Sequence, residues 1–189
     1  MRYIIISQPK AGTYLCANLL QSMGIIFEGY HLAESTYHKY DLSNLDDGRK
    51  NPNKYAFDLN FSESIKLIKD RHVCVTHIPC SKEYLEILKD YKKILLLRDW
   101  KSCRDSWSIW IKNTNRPNFT SPTSEETREN IAKWGLEKDV FIMNFEYMKN
   151  TNIEKLNELQ KFLFGQILFD SKKSMEESFE KDSLTKIRK

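Results

Sequence analysis

The chain has 189 residues, the usual size of one domain of roughly 100 to 200 residues, so a single domain spanning 1–189 is expected. Apolar residues make up 40% of the chain and charged residues 30%, which excludes a disordered or fibrous protein and predicts a soluble globular one. Lys plus Arg exceed Asp plus Glu by 30 − 26 = 4. That small excess suits an anionic small molecule and falls short of a dedicated nucleic-acid binder.

Cysteine usage and hydropathy indicate the compartment. The four cysteines are scattered through apolar stretches without a CxxC pair, so reduced, packed thiols are expected rather than a zinc site or a disulfide framework: Cys16, Cys74, Cys80 and Cys103. The apolar run at 3–6 is too short for a signal-peptide core, and no stretch approaches the roughly 18 apolar residues of a membrane helix. A cytoplasmic protein without a membrane partner is expected.

The first elements predicted along the chain are a strand, a tight loop and a helix. Residues 1–7 form a run rich in β-branched side chains that stops at Gln8-Pro9, which is typical of a buried strand. From 14 to 23 apolar residues recur at near-helical spacing, and Gly24 can end that helix.

The rest of the chain alternates between helical and strand patterns. Helices are predicted over about 62–70, 81–91, 101–112, 124–135 and 153–164, and strands over 72–77, 93–97 and 140–144. Residues 29–60 have weak periodicity and predict a surface loop with short helical pieces, and 117–122 predicts a second loop. Three or four strands separated by helices predict an α/β fold, a three-layer sandwich with a central parallel β-sheet.

The segment Ser7-Gln8-Pro9-Lys10-Ala11-Gly12-Thr13-Tyr14 lies between the first predicted strand and helix. At such a junction the unpaired amides and the positive end of the helix dipole face one spot, where Gly12 lets the backbone approach an anion and Lys10 adds a full charge. A phosphorylated ligand is therefore predicted. The alternative is an ordinary strand-to-helix turn with a surface lysine.

The order of residues in this loop differs from the nucleotide-triphosphatase pattern GxxxxGK[ST]. There the lysine directly follows the last glycine and the next hydroxyl holds magnesium, whereas Lys10 precedes Gly12. Sulfuryl transfer fits the loop better, and a small-molecule kinase or other ATP-using enzyme with a divergent loop stays as the alternative.

Pro9-Lys10-Ala11-Gly12-Thr13 resembles the phosphosulfate loop PKSGT of the sulfotransferases that use 3′-phosphoadenosine 5′-phosphosulfate (PAPS), with Ala11 in place of serine. The resemblance implies a P-loop-like sulfotransferase fold and no required metal. It also implies that the loop from Lys10 through Tyr14 binds the 5′-phosphate and that Lys10 steadies the leaving phosphate. A nearby ammonium stabilises the charge that grows on the bridging oxygen as the S–O bond breaks.

A second match is Ile94-Leu95-Leu96-Leu97-Arg98, followed by Ser106, which resembles the 3′-phosphate segment of the same family. Arg98 ends a predicted strand and Ser106 comes eight residues later on the next helix, as in the family. A guanidinium can clasp a phosphate with two N–H groups, and a serine hydroxyl can add one donor. Trp100 replaces the usual proline, and without the first motif Arg98 would be read as a surface ion-pair partner.

The third match is Thr76-His77-Ile78-Pro79, which resembles the family's KTHLP. The resemblance implies that His77 removes the proton of the acceptor hydroxyl, a task that suits an imidazole because its pKa lies near neutrality. Val75 replaces the family's lysine, and a lone histidine at a strand end is more often structural. The other histidines, His31, His38 and His72, match nothing and are read as structural.

Two weaker matches concern the nucleotide. Phe145-Glu146-Tyr147-Met148-Lys149 resembles the family's YEDMK, with Phe145 where relatives place an adenine-contacting tyrosine; a purely hydrophobic role is the alternative. The terminal Arg188 and Lys189 resemble the start of the RKG segment that closes over the 3′-phosphate, or form a solvated basic tail.

The resemblance implies a transfer from PAPS to a hydroxyl or amine of a small-molecule or glycan acceptor, with adenosine 3′,5′-bisphosphate (PAP) as product. A catalytically inactive PAPS- or PAP-binding protein is a further alternative, because Val75 replaces the lysine of KTHLP and the glycine of the RKG segment is missing. Trp100, Trp107 and Trp110, with Phe119, could form apolar walls for the acceptor. A place in the core is the favoured interpretation of Trp107 and Trp110.

Overall fold

The computed structural model describes residues 1–40, 54–114 and 123–181. A seven-stranded sheet runs through these ranges in the order β4-β3-β2-β5-β1-β6-β7. Its strands are β1 (Arg2–Ser7), β2 (Ile26–Leu32), β3 (Tyr37–Tyr40), β4 (Lys54–Phe57), β5 (His72–Thr76), β6 (Tyr91–Leu97) and β7 (Val140–Asn144). Five adjacent strands are mutually parallel: β2, β5, β1, β6 and β7. β3 and β4 continue the sheet beyond β2 in antiparallel pairing.

Helices connect the strands. They are α1 (Thr13–Ser22), α2 (Phe61–Ser64), α3 (Lys82–Ile87), α4 (Trp100–Thr114), α5 (Glu125–Gly135), α6 (Phe145–Lys149), α7 (Ile153–Phe164) and α8 (Ser171–Lys181). A 3₁₀ turn, Ile65–Leu67, follows α2. Within the ranges given above, none of these helices is long and apolar enough to cross a bilayer.

Both faces of the sheet are covered, as the alternation of side chains in β1 shows. Tyr3 and Ile5 point into one buried cluster, which α1, α7 and α8 complete. Ile4 and Ile6 point into another, which α2, α3 and α5 help to form. A central strand that is buried on both faces has to be apolar at successive positions, which is why 3–6 is an uninterrupted apolar run. The predicted three-layer α/β sandwich is confirmed.

The prediction of a surface loop over residues 29–60 was wrong for 29–32, 37–40 and 54–57, which are strands, and its part at 41–53 lies outside the described residues. β2 occupies 26–32, and β3 and β4 follow it as antiparallel edge strands. The register of β2 against β5 shifts between Phe27 and His31, and Gly29 lies there at φ +81°. Such a bulge interrupts the period-two alternation by which a strand is detected, so the sequence pattern was weak although the strand exists.

Several boundaries also differ from the predictions. The helix expected to run to about residue 91 ends at Ile87, and Tyr91 already begins β6. The Tyr91 hydroxyl donates to the Ile65 carbonyl at 3.1 Å, which binds this strand start to the 3₁₀ turn. The helix expected over 62–70 is only the short α2 and that turn. The loop predicted at 117–122 lies outside the described residues.

The helix α8 lies in a Lys-, Glu- and Ser-rich stretch for which no element was predicted. Its small side chains Ser171, Ser174 and Ser178 are buried, so α8 packs closely on its neighbours. Ser22 of α1 donates to the Ser174 carbonyl at 2.9 Å. Gln160 of α7 binds the connection before α8, accepting from the backbone amides of 168 and 169 at 2.9 and 2.8 Å. Tertiary packing, rather than an apolar stripe, determines this helix.

Candidate functional site

The sequence-predicted site residues meet at one edge of the sheet. β1 lies between β5 and β6 and is parallel to both, so their carboxyl ends point the same way. The segments that follow these three strands begin at Gln8, His77 and Arg98, and Phe145 follows β7 at the same edge. Loops at the carboxyl ends of parallel strands are where ligands bind in open α/β sheets.

The loop after β1 leaves the first amides of α1 without a side-chain cap. Gly12 is the N-cap residue, lies in the left-handed region at φ +95° and makes no side-chain cap hydrogen bond. The first helical bond runs from the Cys16 amide to the Gly12 carbonyl at 3.2 Å. Lys10 also has a positive φ, 66°, so two residues of this five-residue turn are in uncommon conformations. Uncapped amides and the helix dipole together favour an anion here.

The Phe145 ring packs directly on Gly12. A Cβ built on Gly12 would lie 2.5 Å from Cδ2 and 2.6 Å from Cε2 of that ring, far inside van der Waals contact. Glycine is thus required at position 12 for two independent reasons, the backbone angle and this close approach. Phe145 therefore borders the loop of residues 8–12, called the phosphate-type loop below. An adenine contact or a hydrophobic role is expected for Phe145 from the sequence.

Arg98 connects the loops after β1 and β6. Its Nη1 donates to the Lys10 carbonyl at 3.0 Å. The guanidinium carbon lies 4.4 Å from the centre of the Phe145 ring, a cation–π arrangement. Arg98 is therefore anchored in the loop after β1, and its charge is placed beside the amides of the Gly12 turn.

The helix α4 presents one face to the same loop. Cys103 is buried and its thiol donates to the Lys10 carbonyl at 3.7 Å. Ser106 and Trp110 follow Cys103 at three and seven residues, so all three lie on one side of the helix. The Lys10 ammonium lies 4.4 Å from the centre of the Trp110 ring. Ser106 is half-buried on this face.

The expectation that Trp107 and Trp110 belong to the core was wrong. Both side chains are half-buried, and their rings contact each other at 5.0 Å between centres. Cys103 is the buried core residue of α4 among its described side chains. Trp100 is half-buried at the start of the helix, and Arg128 lies over its ring at 5.3 Å. These tryptophans form a partly exposed aromatic surface beside Lys10. Phe119 lies outside the described residues.

Gln8 is a site residue that the sequence reasoning missed. It is 1% exposed, and its Nε2 donates to the Arg98 carbonyl at 2.8 Å and to the Cys103 thiol at 3.6 Å. One amide therefore holds the loop after β1, the end of β6 and α4 together. A buried polar residue beside a proline, at the end of a strand, was the signal that could have found it.

One ring nitrogen of His77 is hydrogen-bonded to the end of β1. Its Nδ1 donates to the Ser7 carbonyl at 2.7 Å, and the Ser7 hydroxyl lies 3.3 Å from the same nitrogen. This bond assigns the proton to Nδ1 and leaves Nε2 as a lone-pair acceptor. Desolvation in the fold, opposed by the Ser7 carbonyl and reinforced by the charge of Lys10, lowers the pKa of His77 to about 4. The imidazole is consequently neutral at pH 7.

The segment around His77 is fixed on both sides. The Thr76 hydroxyl donates to the Leu32 carbonyl of β2 at 2.8 Å and accepts from the Ile78 amide at 3.3 Å. The indole N–H of the buried Trp134 donates to the Ile78 carbonyl at 3.1 Å. The residues on either side of His77 are thus bound to neighbouring elements, so the histidine has a defined position at the strand end.

Of the other predicted site residues, Ala11 is a buried member of the loop. Thr13 is the first residue of α1 and is also buried. The Tyr14 ring points toward β2, where it lies 6.0 Å from the Phe27 ring. Its backbone, rather than its ring, belongs to the loop. Arg188 and Lys189 lie outside the described residues.

His31 also belongs to this region, although it matched no motif. Its ring lies edge-on to that of His77, with 4.7 Å between centres and 76° between planes. His38 of β3 lies beyond it at 6.3 Å. Among the residues of the described ranges, no three His, Cys, Asp or Glu side chains converge as a metal site.

Comparison with known proteins gives fold similarity without sequence similarity. No protein-family model matches the chain, and no curated protein matches it by sequence. Among solved structures, the mouse sulfotransferase SULT7A1 complexed with PAP matches with a TM-score of 0.53 and 19% identity, over 95% of this chain and 65% of that one. A retinol dehydratase in complex with androsterone and inactive cofactor PAP is superposed with a TM-score of 0.49 and 12% identity, over 97% and 65%. The chain spans slightly less than two thirds of the length of these two proteins. The match to the mouse protein shows that it has the sulfotransferase fold.

Proposed function

We propose that this protein transfers a sulfuryl group from PAPS to a hydroxyl or amine of a small-molecule or glycan acceptor and releases PAP. The observation that carries the proposal is the convergence, at one sheet edge, of a helix start whose N-cap residue is glycine, two cationic side chains and a neutral imidazole with its lone pair on Nε2. Each group corresponds to one demand of the reaction. The mouse sulfotransferase of the same fold is complexed with PAP, which supports this choice of nucleotide.

The leaving side of the reaction is assigned to the loop after β1. The amides at the start of α1 and the Thr13 hydroxyl bind the 5′-phosphate, where the helix dipole favours negative charge. As the S–O bond breaks, its electron pair goes to the bridging oxygen of that phosphate. The Lys10 ammonium, which contacts the Trp110 ring, stabilises the growing charge.

The attacking side is assigned to His77. The acceptor oxygen forms the new bond to sulfur while its proton passes to Nε2, which is the unprotonated nitrogen because Nδ1 donates to Ser7. A pKa of about 4 makes His77 available as a base throughout the neutral range. The negative charge of a bound phosphosulfate would raise this pKa, so that the imidazole becomes a stronger base when donor is present.

Selection of a 3′-phosphorylated nucleotide is assigned to Arg98 and Ser106. The guanidinium lies between the Lys10 carbonyl and the Phe145 ring, and Ser106 is on the α4 face that borders the same loop. An arginine and a hydroxyl bind a phosphate more strongly than they bind a neutral ribose hydroxyl, because charge-assisted hydrogen bonds are roughly twice as strong as neutral ones. PAPS is then preferred over ATP.

The decisive experiment is calorimetric titration of the purified chain with PAP, 5′-AMP and magnesium ATP, because it needs no knowledge of the acceptor. We expect PAP to bind at least about tenfold more tightly than 5′-AMP, and Arg98→Ala to remove most of that preference at a cost of roughly 1.5 to 3 kcal/mol. Arg104→Ala is the matched control, since Arg104 is 60% exposed on α4 and lies 3.9 Å from Asp105.

The outcomes separate the proposal from its alternatives. A preference for magnesium ATP would favour a kinase with a divergent phosphate loop. PAP binding together with no transfer of labelled sulfate to a broad panel of hydroxyl and amine acceptors would favour a catalytically inactive binder. Binding of PAP that is insensitive to Arg98→Ala would remove Arg98 from the nucleotide site.

A further inference from the structure

His31 on β2 is the ring neighbour of His77, and the reaction proposed above gives it no role. His31 pairs in register with Val75 of β5, two residues before His77, so both imidazoles lie on the same side of the sheet. Their centres are 4.7 Å apart and their planes are nearly perpendicular at 76°. Edge-to-face contact at this distance is a favourable arrangement of aromatic rings.

The hydrogen bond to Ser7 does not by itself fix the His77 ring. A single bond from Nδ1 to the Ser7 carbonyl, 2.7 Å long, holds one atom and leaves the ring able to turn about that contact. The direction of the Nε2 lone pair depends on the plane of the ring. A second ring packed edge-on restricts that plane, because turning His77 would bring the two rings into collision.

We propose that His31 is a positioning residue that fixes the plane of the His77 ring, and with it the direction from which the acceptor proton is taken. The inference rests on the proposed function for the meaning of that direction, but the positioning itself is a property of the unliganded protein. His31 acts through its ring shape, by contact with His77, and not by exchanging protons with it.

The surroundings of His77 allow this effect to be separated from a change of charge. Within the part of the chain that the structure describes, the groups that face His77 are Lys10 from the loop, the Ser7 carbonyl and hydroxyl from β1, and His31 from β2, with His38 of β3 behind it. Replacing His31 by phenylalanine retains a flat ring and removes every titratable atom. Replacing it by alanine or threonine removes the ring.

The test is a pH titration of protein labelled with ¹⁵N at histidine, in which long-range proton–nitrogen spectra report the tautomer and the pKa of His77. In the parent protein and in His31→Phe we expect one tautomer, protonated on Nδ1, with the pKa held far below 6.5. In His31→Ala we expect mixed tautomers and a rise of the His77 pKa by about one unit or more, because water reaches a ring that can turn. His31→Thr serves the same purpose in a residue suited to a strand, should the alanine variant not fold.

Two controls come from the other histidines. His38→Phe alters the next ring in the row, and His72→Gln alters a histidine at the start of β5 that lies 3.7 Å from Glu28. Both should leave the His77 resonances in place. An unchanged tautomer and pKa in His31→Ala and His31→Thr would overturn the proposal, and so would a His31→Phe variant that behaves like the truncated ones.

A parallel titration with PAP keeps this inference distinguishable from the proposed function. We expect every folded His31 variant to bind PAP within about twofold of the parent, since His31 lies on β2 and acts through its contact with His77. Failure of the parent chain to bind PAP would end the proposed function and leave the positioning result intact. Normal PAP binding with unmoved His77 resonances would end the positioning inference alone.

Discussion

The two sides of the site are built from different kinds of contact. On the side of the phosphate-type loop, side chains donate to main-chain carbonyls: Gln8 to Arg98, Arg98 to Lys10, and His77 to Ser7. Other contacts in the site are made by rings, as in the His31–His77 and Trp107–Trp110 pairs and where the Phe145 ring packs on Gly12. A hydrogen bond to a carbonyl requires a donor of definite length and direction, whereas a ring contact accepts many side chains of similar shape.

This difference explains which half of the function could be inferred. The hydrogen-bonded half demands particular residue types at particular spacings, so most of it, Gln8 excepted, leaves a motif in the sequence. The ring-lined half demands only apolar bulk in the right place, so its residues are indistinguishable from core residues until the fold is known. The predictions below test whether the hydrogen-bonded half tolerates substitutions as poorly as its contacts indicate.

The largest effect is expected from Gly12→Ala. The new methyl group would lie 2.5 Å from the Phe145 ring on a backbone at φ +95°, and the resulting collision and strain together cost several kcal/mol. We expect PAP binding to fall by more than about a hundredfold, measured by calorimetry, with a lower melting temperature.

Gly165→Ala is the matched control for that variant. Gly165 also has a positive φ, +78°, but an added Cβ there meets no atom within 4 Å. Its cost should therefore be the backbone strain alone, about 1 kcal/mol in the free energy of unfolding, with PAP binding unchanged. Equal losses in the two variants would show that the contact with Phe145 is unimportant.

A smaller but still large effect is expected from removing the chemical groups. Lys10→Ala and His77→Ala should each reduce turnover by on the order of a hundredfold or more, about 2.7 kcal/mol of transition-state stabilisation. The measurement is transfer of labelled sulfate to an acceptor found in the panel described above. Controls are Lys161→Ala, an exposed lysine of α7, and His72→Ala at the opposite end of β5. Unchanged turnover in His77→Ala would remove it as the base.

The smallest effect concerns stability against pH. Burial lowers the pKa of His77 from 6.5 to about 4, so the unfolded chain binds a proton more readily than the folded one between these values. Stability is therefore complete above about pH 6.5 and declines as the pH falls toward 4, by an amount of the order of 3 kcal/mol.

Denaturant unfolding at a series of pH values measures this decline, and His77→Gln should flatten it. The lowered pKa values of Asp70 and Asp99 belong to exposed carboxylates and act below pH 4, outside the window. An identical slope in the parent protein and in His77→Gln would show that His77 is not desolvated in the fold.

The sequence predicted the central features of the fold because β1, β5 and β6 are buried on both faces and read as apolar runs. It failed at β2, where the bulge near Gly29 disturbs the alternation, and it offered no signal for α8, whose buried side chains are three serines and Met175. Both elements depend on contacts with residues distant in the sequence, which a local pattern does not contain.

The candidate site shows the same division. Lys10, Gly12, Arg98 and His77 could be selected from motifs, and the structure brings them to one sheet edge. Gln8 and His31 were not selected: Gln8 offered only the weak signal of a polar residue beside a proline at a strand end, and His31 matched no motif. Trp110 was assigned to the core for a related reason: helical spacing identifies a face of α4 but not what that face meets.

The bond between His77 and Ser7 has a consequence for protein engineering. Ser7 is the last residue of β1 and Lys10 lies three residues further along the same chain, so one short stretch of backbone sets the distance between the two groups. The Trp107 ring packs on the Trp110 ring, which in turn contacts the Lys10 ammonium. A library that randomises Trp107 and keeps Trp110 can therefore diversify the partly exposed aromatic surface beside Lys10 while the reactive pair keeps its spacing.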